Sequence, residues 1–212
     1  MSLNNELIKS GNFLFKYRSY LPLILYPLLI LYSQKSETSY MSLNFCILGI
    51  IVSYFGEIIR IFTIAFVPSF TSGRNTKKQS AKSLNTTGIY SIVRHPLYLG
   101  NYFILLGPFL FIANPSAIII YTLLFWIYYE RIMYAEESFL NNKFKEQFSK
   151  WAQTVPLIIP KFNIYKPADG KFSFVQVIYR EYTGICGIIF MFYILVYANY
   201  YLYDIDIIIL DL

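Results

Sequence analysis

Along the 212 residues, long stretches without charge alternate with short segments crowded with Lys and Arg. The charge-free stretches predict helices, because a helix that crosses a bilayer satisfies its own backbone and needs roughly 20 mostly apolar residues. Ser19 to Gln34 is the first candidate, extended by Phe13 to Phe15. Thr38 to Gly56 is the second, and it continues through Glu57 and Arg60 to about Val67. Leu97 to Tyr129 runs for 33 residues without a charge. As one helix it would be about 50 Å long, well beyond the ~30 Å hydrocarbon core. Asn114-Pro115 sits in its middle and predicts a turn. The expected element is therefore a tight helical hairpin, Leu97–Ala113 and Pro115–Tyr129. Tyr182 to Tyr203 is the last candidate. The fold expected is an all-α integral membrane protein of about five transmembrane helices, with cytoplasmic segments that can hold a ligand.

The pattern beyond the hairpin is amphipathic. Apolar positions at helical spacing continue through Leu140 and Phe144, so the hairpin's second helix should leave the membrane intact. Phe144 to Trp151 follows, then Val155-Pro156-Leu-Ile-Ile-Pro160. Those prolines end the helix and fold an apolar segment back toward the membrane.

Composition agrees with the pattern. The chain is 56% hydrophobic, 20% aromatic and only 14% charged, with mean hydropathy +0.46. A soluble domain carries about a quarter charged residues, so a disordered chain, a collagen-like chain and an ordinary cytosolic enzyme are excluded. The formal charge of +6 comes from 18 basic and 12 acidic residues. Three Lys and Arg precede the first span, five lie in 68–96 and eight in 130–181, together 16 of the 18. Five spans place all three segments on one side, which the positive-inside bias makes cytoplasmic. The opposite side receives Lys35 with Glu37, the Asn114 turn and the acidic tail Asp204, Asp206 and Asp211. The positive charge therefore speaks for topology and not for nucleic acid. The first apolar stretch is preceded by Lys9, Lys16 and Arg18 and lacks a small-residue cleavage motif, so it is expected to be a retained helix and not a signal peptide. Cys46 and Cys186 lie in apolar runs without metal-ligand spacing, and His95 is the single histidine. No metal site and no disulfide framework are expected.

Four constellations carry candidate chemistry. The densest is Gly88-Ile-Tyr90-Ser-Ile-Val-Arg94-His95-Pro96-Leu97-Tyr98-Leu-Gly100. Pro96 suits the first turn of the hairpin, where its missing N–H costs nothing, and Gly100 admits a close neighbour. Arg94, His95, Tyr90 and Tyr98 would gather at the interface, where Arg and Tyr also serve as simple anchors. The second is Glu130-Arg131-Ile-Met-Tyr134-Ala-Glu136-Glu137. Its charges would lie near the level of His95, because hairpin partners are antiparallel neighbours; a solvated helix end with local ion pairs is the plainer alternative. Glu57 and Arg60, three apart inside the second span, suggest an ion pair or an inward structural role. The Pro156–Pro160 segment is the fourth.

These residues resemble a known family. Gly88-x-Tyr90-x-x-x-Arg94-His95-Pro96-x-Tyr98-x-Gly100, Asn114-Pro115, Glu136-Glu137-x-x-Leu140-x-x-x-Phe144 and Val155-Pro156-x-x-x-Pro160 together look like the isoprenylcysteine carboxyl methyltransferase and phospholipid methyltransferase superfamily. The likeness covers about residues 71–162. It implies an integral-membrane O-methyltransferase that uses S-adenosylmethionine, with regions 1–70 (N-terminal helices), 71–165 (methyltransferase core) and 166–212 (an additional span). It implies that Tyr90, Arg94, His95, Pro96, Leu97, Tyr98, Gly100, Glu136 and Glu137 build the cofactor pocket. Leu84 would contact the cofactor through backbone, and Asn75 would supply a polar contact. Arg131 is the nearest match to the family's acceptor-facing Arg, with Glu136 beside it in the catalytic group. Two departures stand out: Phe144-Lys145 replaces the family's Phe-Gly, and some fifty residues follow the proline segment. Ser72-Gly-Arg-Asn-Thr76 and Leu84-Asn-Thr-Thr-Gly88 look most like bacterial members, one branch of which methylates a lipid A phosphate. That likeness implies a bacterial inner membrane.

The implied chemistry suits the residues. Methyl transfer requires a held cation, a positioned nucleophile and little water. Carboxylates and aromatic faces hold cations. A phosphate or carboxylate acceptor is already ionised and needs only a cation to locate it. An amine acceptor would need a base, and the single histidine is assigned to the cofactor. The expected partner is thus a membrane lipid or lipidated acceptor, arriving laterally between helices while the cofactor enters from the cytosol. The competing readings are an NADPH-dependent membrane reductase of the sterol-reductase type and a non-catalytic membrane module.

Overall fold

The computed structural model describes residues 2–20, 27, 29, 40–67, 79–203 and 206–208. The helices described are α1 (Leu3–Tyr17), α2 (Leu43–Ala65), α3 (Pro96–Phe111), α4 (Pro115–Phe144), α5 (Glu146–Thr154) and α6 (Phe174–Tyr203). Of these, α2, α4 and α6 are long and apolar enough to cross a membrane. The 30 residues of α4 make about 45 Å of helix, so it extends past a bilayer core as its amphipathic continuation predicts. α3 is apolar but has 16 residues, about 24 Å, and falls short of a full crossing. Most of the expected first span, Ser19 to Gln34, lies outside the described residues.

Two expectations need correction. Phe13 to Phe15 do not extend a membrane span. They belong to α1, a separate helix that ends at Tyr17 and passes into a 3-10 turn at Arg18–Tyr20. The cause is the spacing of charge: Glu6 opens the helix and Lys16 closes it, both favourable for its dipole. The fold is also not purely helical. Tyr40–Ser42 (β1) pairs in parallel with Asp206–Ile208 (β2), Tyr40 opposite Asp206. Alternation too short to register as a strand pattern gave no forewarning of this pair.

The chain forms two compact units that interleave along its length. One comprises Tyr20–Ile58, Gly100–Phe125 and Glu181–Leu212. Within it, Gly49, Ser53 and Gly56 of α2 fall at i, i+4 and i+7 and meet α3. A Cβ on Gly49 would strike the Gly107 carbonyl, and one on Gly56 would lie 2.5 Å from the Gly100 carbonyl. Between them the Ser53 hydroxyl donates to the Ile104 carbonyl at 2.8 Å. Small residues thus let two backbones touch, the usual means of helix association where apolar burial gives no drive. The hairpin turn is where Asn114-Pro115 predicts it. Ala113 takes φ +51°, and the Asn114 side chain accepts the Ala117 N–H at 3.1 Å, capping α4. Tyr121 stacks on Phe109 and donates its hydroxyl to the Tyr102 carbonyl at 2.7 Å. Glu57 faces inward, and both its carboxylate and that of Glu181 occupy the space beside Gly184.

The other unit comprises Met1–Ser19, Ile59–Leu99 and Trp126–Arg180. α1 packs on α4 through Gly11, whose missing side chain makes room for the Arg131 carbonyl and Ala135. Tyr128 and Tyr134 of α4 donate to the Leu14 carbonyl and to Asn4, at 3.2 and 2.9 Å. Gln176, at the start of α6, donates to the Ile64 and Val67 carbonyls and closes the end of α2. α4 stops at Phe144 because Lys145 adopts φ +46°, after which α5 begins.

Candidate functional site

The site forms entirely within the second of these units. Its frame is the segment Gly88–His95, an irregular stretch between an upstream loop and α3. Gly88 sits at φ +61°, a conformation that favours glycine. The Ser91 hydroxyl donates to the Gly88 carbonyl at 2.7 Å and accepts the Lys166 N–H at 2.9 Å. Pro96 is the first residue of α3, which fits its fixed φ and absent N–H.

Five side chains meet over this frame. Arg94 Nη1 donates to Glu137 Oε2 at 3.1 Å. His95 Nε2 lies 3.0 Å from the other oxygen of Glu137, and since a carboxylate only accepts, that contact places a proton on Nε2. His95 Nδ1 stands 3.8 Å from Glu136 Oε2. The Tyr98 hydroxyl donates to that same Glu136 oxygen at 2.8 Å. The Tyr98 ring stacks on buried His95 and leans on Tyr129. Tyr90 is half-buried. Burial pushes its phenol well above the ordinary range, and the neighbouring Glu136 charge adds to the effect. The positive charges of Arg180 and Arg60 act on it in the opposite sense.

The structure therefore brings together Tyr90, Arg94, His95, Tyr98, Glu136 and Glu137. Pro96 and Leu97 begin the helix beneath them. Gly100, one turn on, belongs to the other unit, where its carbonyl lies against Gly56. Leu84 is half-buried in the loop before Gly88; Lys143 of α4 holds that loop by donating to the Ala81 carbonyl at 2.5 Å. Asn75 lies outside the described residues. Arg131 does not join the cluster. It is exposed, about 140° round the α4 helix from Glu136, so nearness in level does not become nearness in space.

The roles of three further groups do not follow from the sequence. Trp151 of α5 donates its indole N–H to the Tyr90 carbonyl at 3.0 Å. The segment after α5 is hydrogen-bonded to the frame: the Arg94 and His95 N–H groups donate to the Pro156 and Leu157 carbonyls, and the Lys161 N–H to the Ile92 carbonyl. Arg180 was not singled out. The proline segment and Trp151 were visible as motifs, but nothing in a sequence says which carbonyls lack partners.

A family model described as "Phospholipid methyltransferase" matches residues 41–147, half of the chain. The chain belongs to the phospholipid methyltransferase family. Arg94, His95, Tyr98, Glu136 and Glu137 all fall inside the part that matches. Among relatives of this family member, the protein-S-isoprenylcysteine O-methyltransferase of Tribolium castaneum is 33% identical over 120 residues, covering 56% of this chain and 43% of its own length. That of Saccharomyces cerevisiae is 29% identical over 136 residues, 64% of this chain and 56% of its own. Protein-S-isoprenylcysteine O-methyltransferase B of Arabidopsis thaliana is 33% identical over 117 residues, 54% and 59%. The chain spans about half the length of the curated relatives it matches. A solved structure, the eukaryotic intramembrane Ras methyltransferase ICMT, is 30% identical over 56% of this chain and 43% of that one, with TM-score 0.43.

Proposed function

We propose that this protein is an S-adenosylmethionine-dependent integral-membrane O-methyltransferase. Its acceptor is the anionic group, carboxylate or phosphate, of a lipid or lipidated molecule at the cytoplasmic face. The observation that carries the reading is the closed cluster of Arg94, His95, Tyr98, Glu136 and Glu137 inside the family-matching segment. The names of the relatives support an O-methyl product. Neither an NADPH-dependent reductase nor a non-catalytic module has support from the family match.

The residues fit the cofactor. Arg94 Nε is buried and has no acceptor among the described residues, so a carboxylate group placed there would satisfy it. Glu136 accepts from Tyr98 and is the less buried of the two carboxylates, leaving acceptor capacity for an amine. The rings of Tyr98 and Tyr129 offer faces to a cation. When bound, S-adenosylmethionine supplies an electrophilic methyl group on a sulfonium. The chain's own part is to fix that group and the acceptor in line and to keep water out. Glu137 orients Arg94 and His95 by accepting from both. Arg60 and Arg180, whose charges act on the Tyr90 phenol, are the cations proposed to locate the acceptor, a task for which exposed Arg131 is poorly placed. No base is required for an acceptor that is already ionised.

The test is label transfer. Membranes containing the protein receive methyl-labelled S-adenosylmethionine with lipid extract, and in parallel with a prenylated cysteine peptide. Label should enter one of these acceptors with the intact protein and fall at least about tenfold with Glu136→Ala, the loss of one charged contact. Treatment with mild base and with phosphatase sorts carboxyl ester from phosphate ester. Methylated ethanolamine lipid as the main product would overturn the anionic acceptor. Absence of cofactor binding would overturn the whole reading.

A further inference from the structure

The segment after α5 has two faces. One is pinned to the site frame, through the Pro156, Leu157 and Ile92 carbonyls and through an antiparallel bridge between Gly88 and Lys166. The other is bare. Ile159 is 78% exposed, Phe162 74% and Tyr165 57%. Large apolar side chains held outward at regular intervals by a pinned backbone contribute nothing to a core. Lys161 and Lys166 stand beside them in the chain and Lys171 follows, all exposed. Among the described residues no carboxylate lies within ion-pair distance of these three lysines. The one acid on the segment, Asp169, accepts from the Thr87 hydroxyl at 3.0 Å.

Apolar side chains that project beside lysines match the boundary of an anionic bilayer, where rings sink among the acyl chains and ammonium groups meet phosphate and carboxylate headgroups. We infer that residues 159–171 form a docking surface for anionic lipid, seated on the membrane face by Ile159, Phe162 and Tyr165 and selective through Lys161, Lys166 and Lys171. Charge complementarity commits the surface to this partner over a neutral lipid, for which the aromatic residues alone would serve. An acidic protein segment would engage the lysines but would leave the rings in water. The inference does not depend on the proposed methyl transfer. It implies that the same short segment touches the bilayer on one side and the Arg94–His95 backbone on the other.

The test uses the whole chain reconstituted in nanodiscs. Asn163→Cys, exposed and between the rings, carries a polarity-sensitive dye. Cys186→Ser removes the other exposed thiol, and the same protein without Asn163→Cys is the blank. With brominated acyl chains and about 30% phosphatidylserine, quenching should be at least about twofold stronger than in phosphatidylcholine alone, since each lysine near an anionic surface strengthens attraction about fivefold. The combined variant Lys161→Gln, Lys166→Gln, Lys171→Gln should quench equally in both lipids while melting at the same temperature. Phe162→Ser should reduce quenching in both. Equal quenching of the unaltered protein in the two lipids would overturn the selectivity. No quenching in either, with dye shielding on adding polyglutamate, would replace the lipid by an acidic protein partner and overturn the inference.

Discussion

At the scale of single residues, the site is a problem of shared acceptors. Glu137 accepts from both Arg94 and His95. Glu137→Ala strands two largely buried donors at once, and leaving a buried donor unsatisfied costs about 1–3 kcal/mol. Thermal unfolding in detergent should show Glu137→Ala clearly destabilised and Glu137→Gln much less so, because the amide keeps one acceptor oxygen. Tyr98→Phe keeps the ring stack and deletes one hydrogen bond to Glu136. It should lower S-adenosylmethionine affinity about fivefold, the size of one such bond, and Glu136→Ala should lower it further; titration calorimetry would compare them. Tyr90 adds a pH expectation. Its raised phenol stays protonated in the folded state above the ordinary value near 10. The associated stability is present below that value and lost as pH rises past it. Tyr90→Phe should therefore leave the shape of the pH–stability curve unchanged between about pH 6 and 9 and flatten its fall above about 10. These residues were legible because Arg, His, Tyr and Glu at such spacing have few structural reasons to recur together. Arg131 stands apart from the cluster because nearness along α4 is not nearness round it. Ser91 and Trp151 were illegible, since each acts on a backbone group whose need for a partner exists only in the fold.

Elements were legible in proportion to how strongly solvent forces them. A run of apolar residues must become helix inside a bilayer, and Asn114-Pro115 must interrupt it, so α2, the hairpin and α6 followed from the sequence. α1 did not, because its mixed face is earned by packing on α4 at Gly11 and by hydrogen bonds from Tyr128 and Tyr134. The α2–α3 contact was only half visible: Gly100 suggested a close approach, but the partner row of Gly49, Ser53 and Gly56 was not connected with it. That contact is testable by size. Gly56→Val would drive a side chain into the Gly100 carbonyl and the Ile104 N–H; backbone cannot yield cheaply there, so a loss of about 1–3 kcal/mol is expected. Gly187 of α6 is the control. A Cβ there meets nothing within 4 Å, and Gly187→Ala should be neutral or gain up to about 1 kcal/mol from helix propensity. Melting curves of the two variants should move in opposite directions or leave the second unmoved. Equal destabilisation would mean that bulk in a membrane helix, and not the α2–α3 contact, sets the cost.

For the molecule as a whole, the distribution of charge predicts an orientation. Burying a lysine during insertion is expensive, so segments dense in Lys and Arg stay on the side where synthesis leaves them. The 68–96 and 130–181 segments together hold 13 of the 18 basic residues, and they contribute Tyr90, Arg94, His95, Glu136 and Glu137 to the site. The proposed cofactor and the charge bias thus call for the same side for the same residues. The Asn114 turn carries no Lys or Arg and should face the other way. Ser116, exposed beside that turn, and Gln147, exposed on α5, are suitable reporters. In intact cells a membrane-impermeant thiol reagent should label Ser116→Cys and spare Gln147→Cys, both in a Cys186→Ser background. In inverted vesicles the pattern should exchange. Labelling of Gln147→Cys from outside would place the Glu136–Glu137 cluster away from the cytosolic cofactor, and the orientation argument and the proposed methyl donor would fall together. Labelling of both from one side would instead mean that α4 does not complete a crossing, and the 30-residue helix would have to lie partly along the membrane surface.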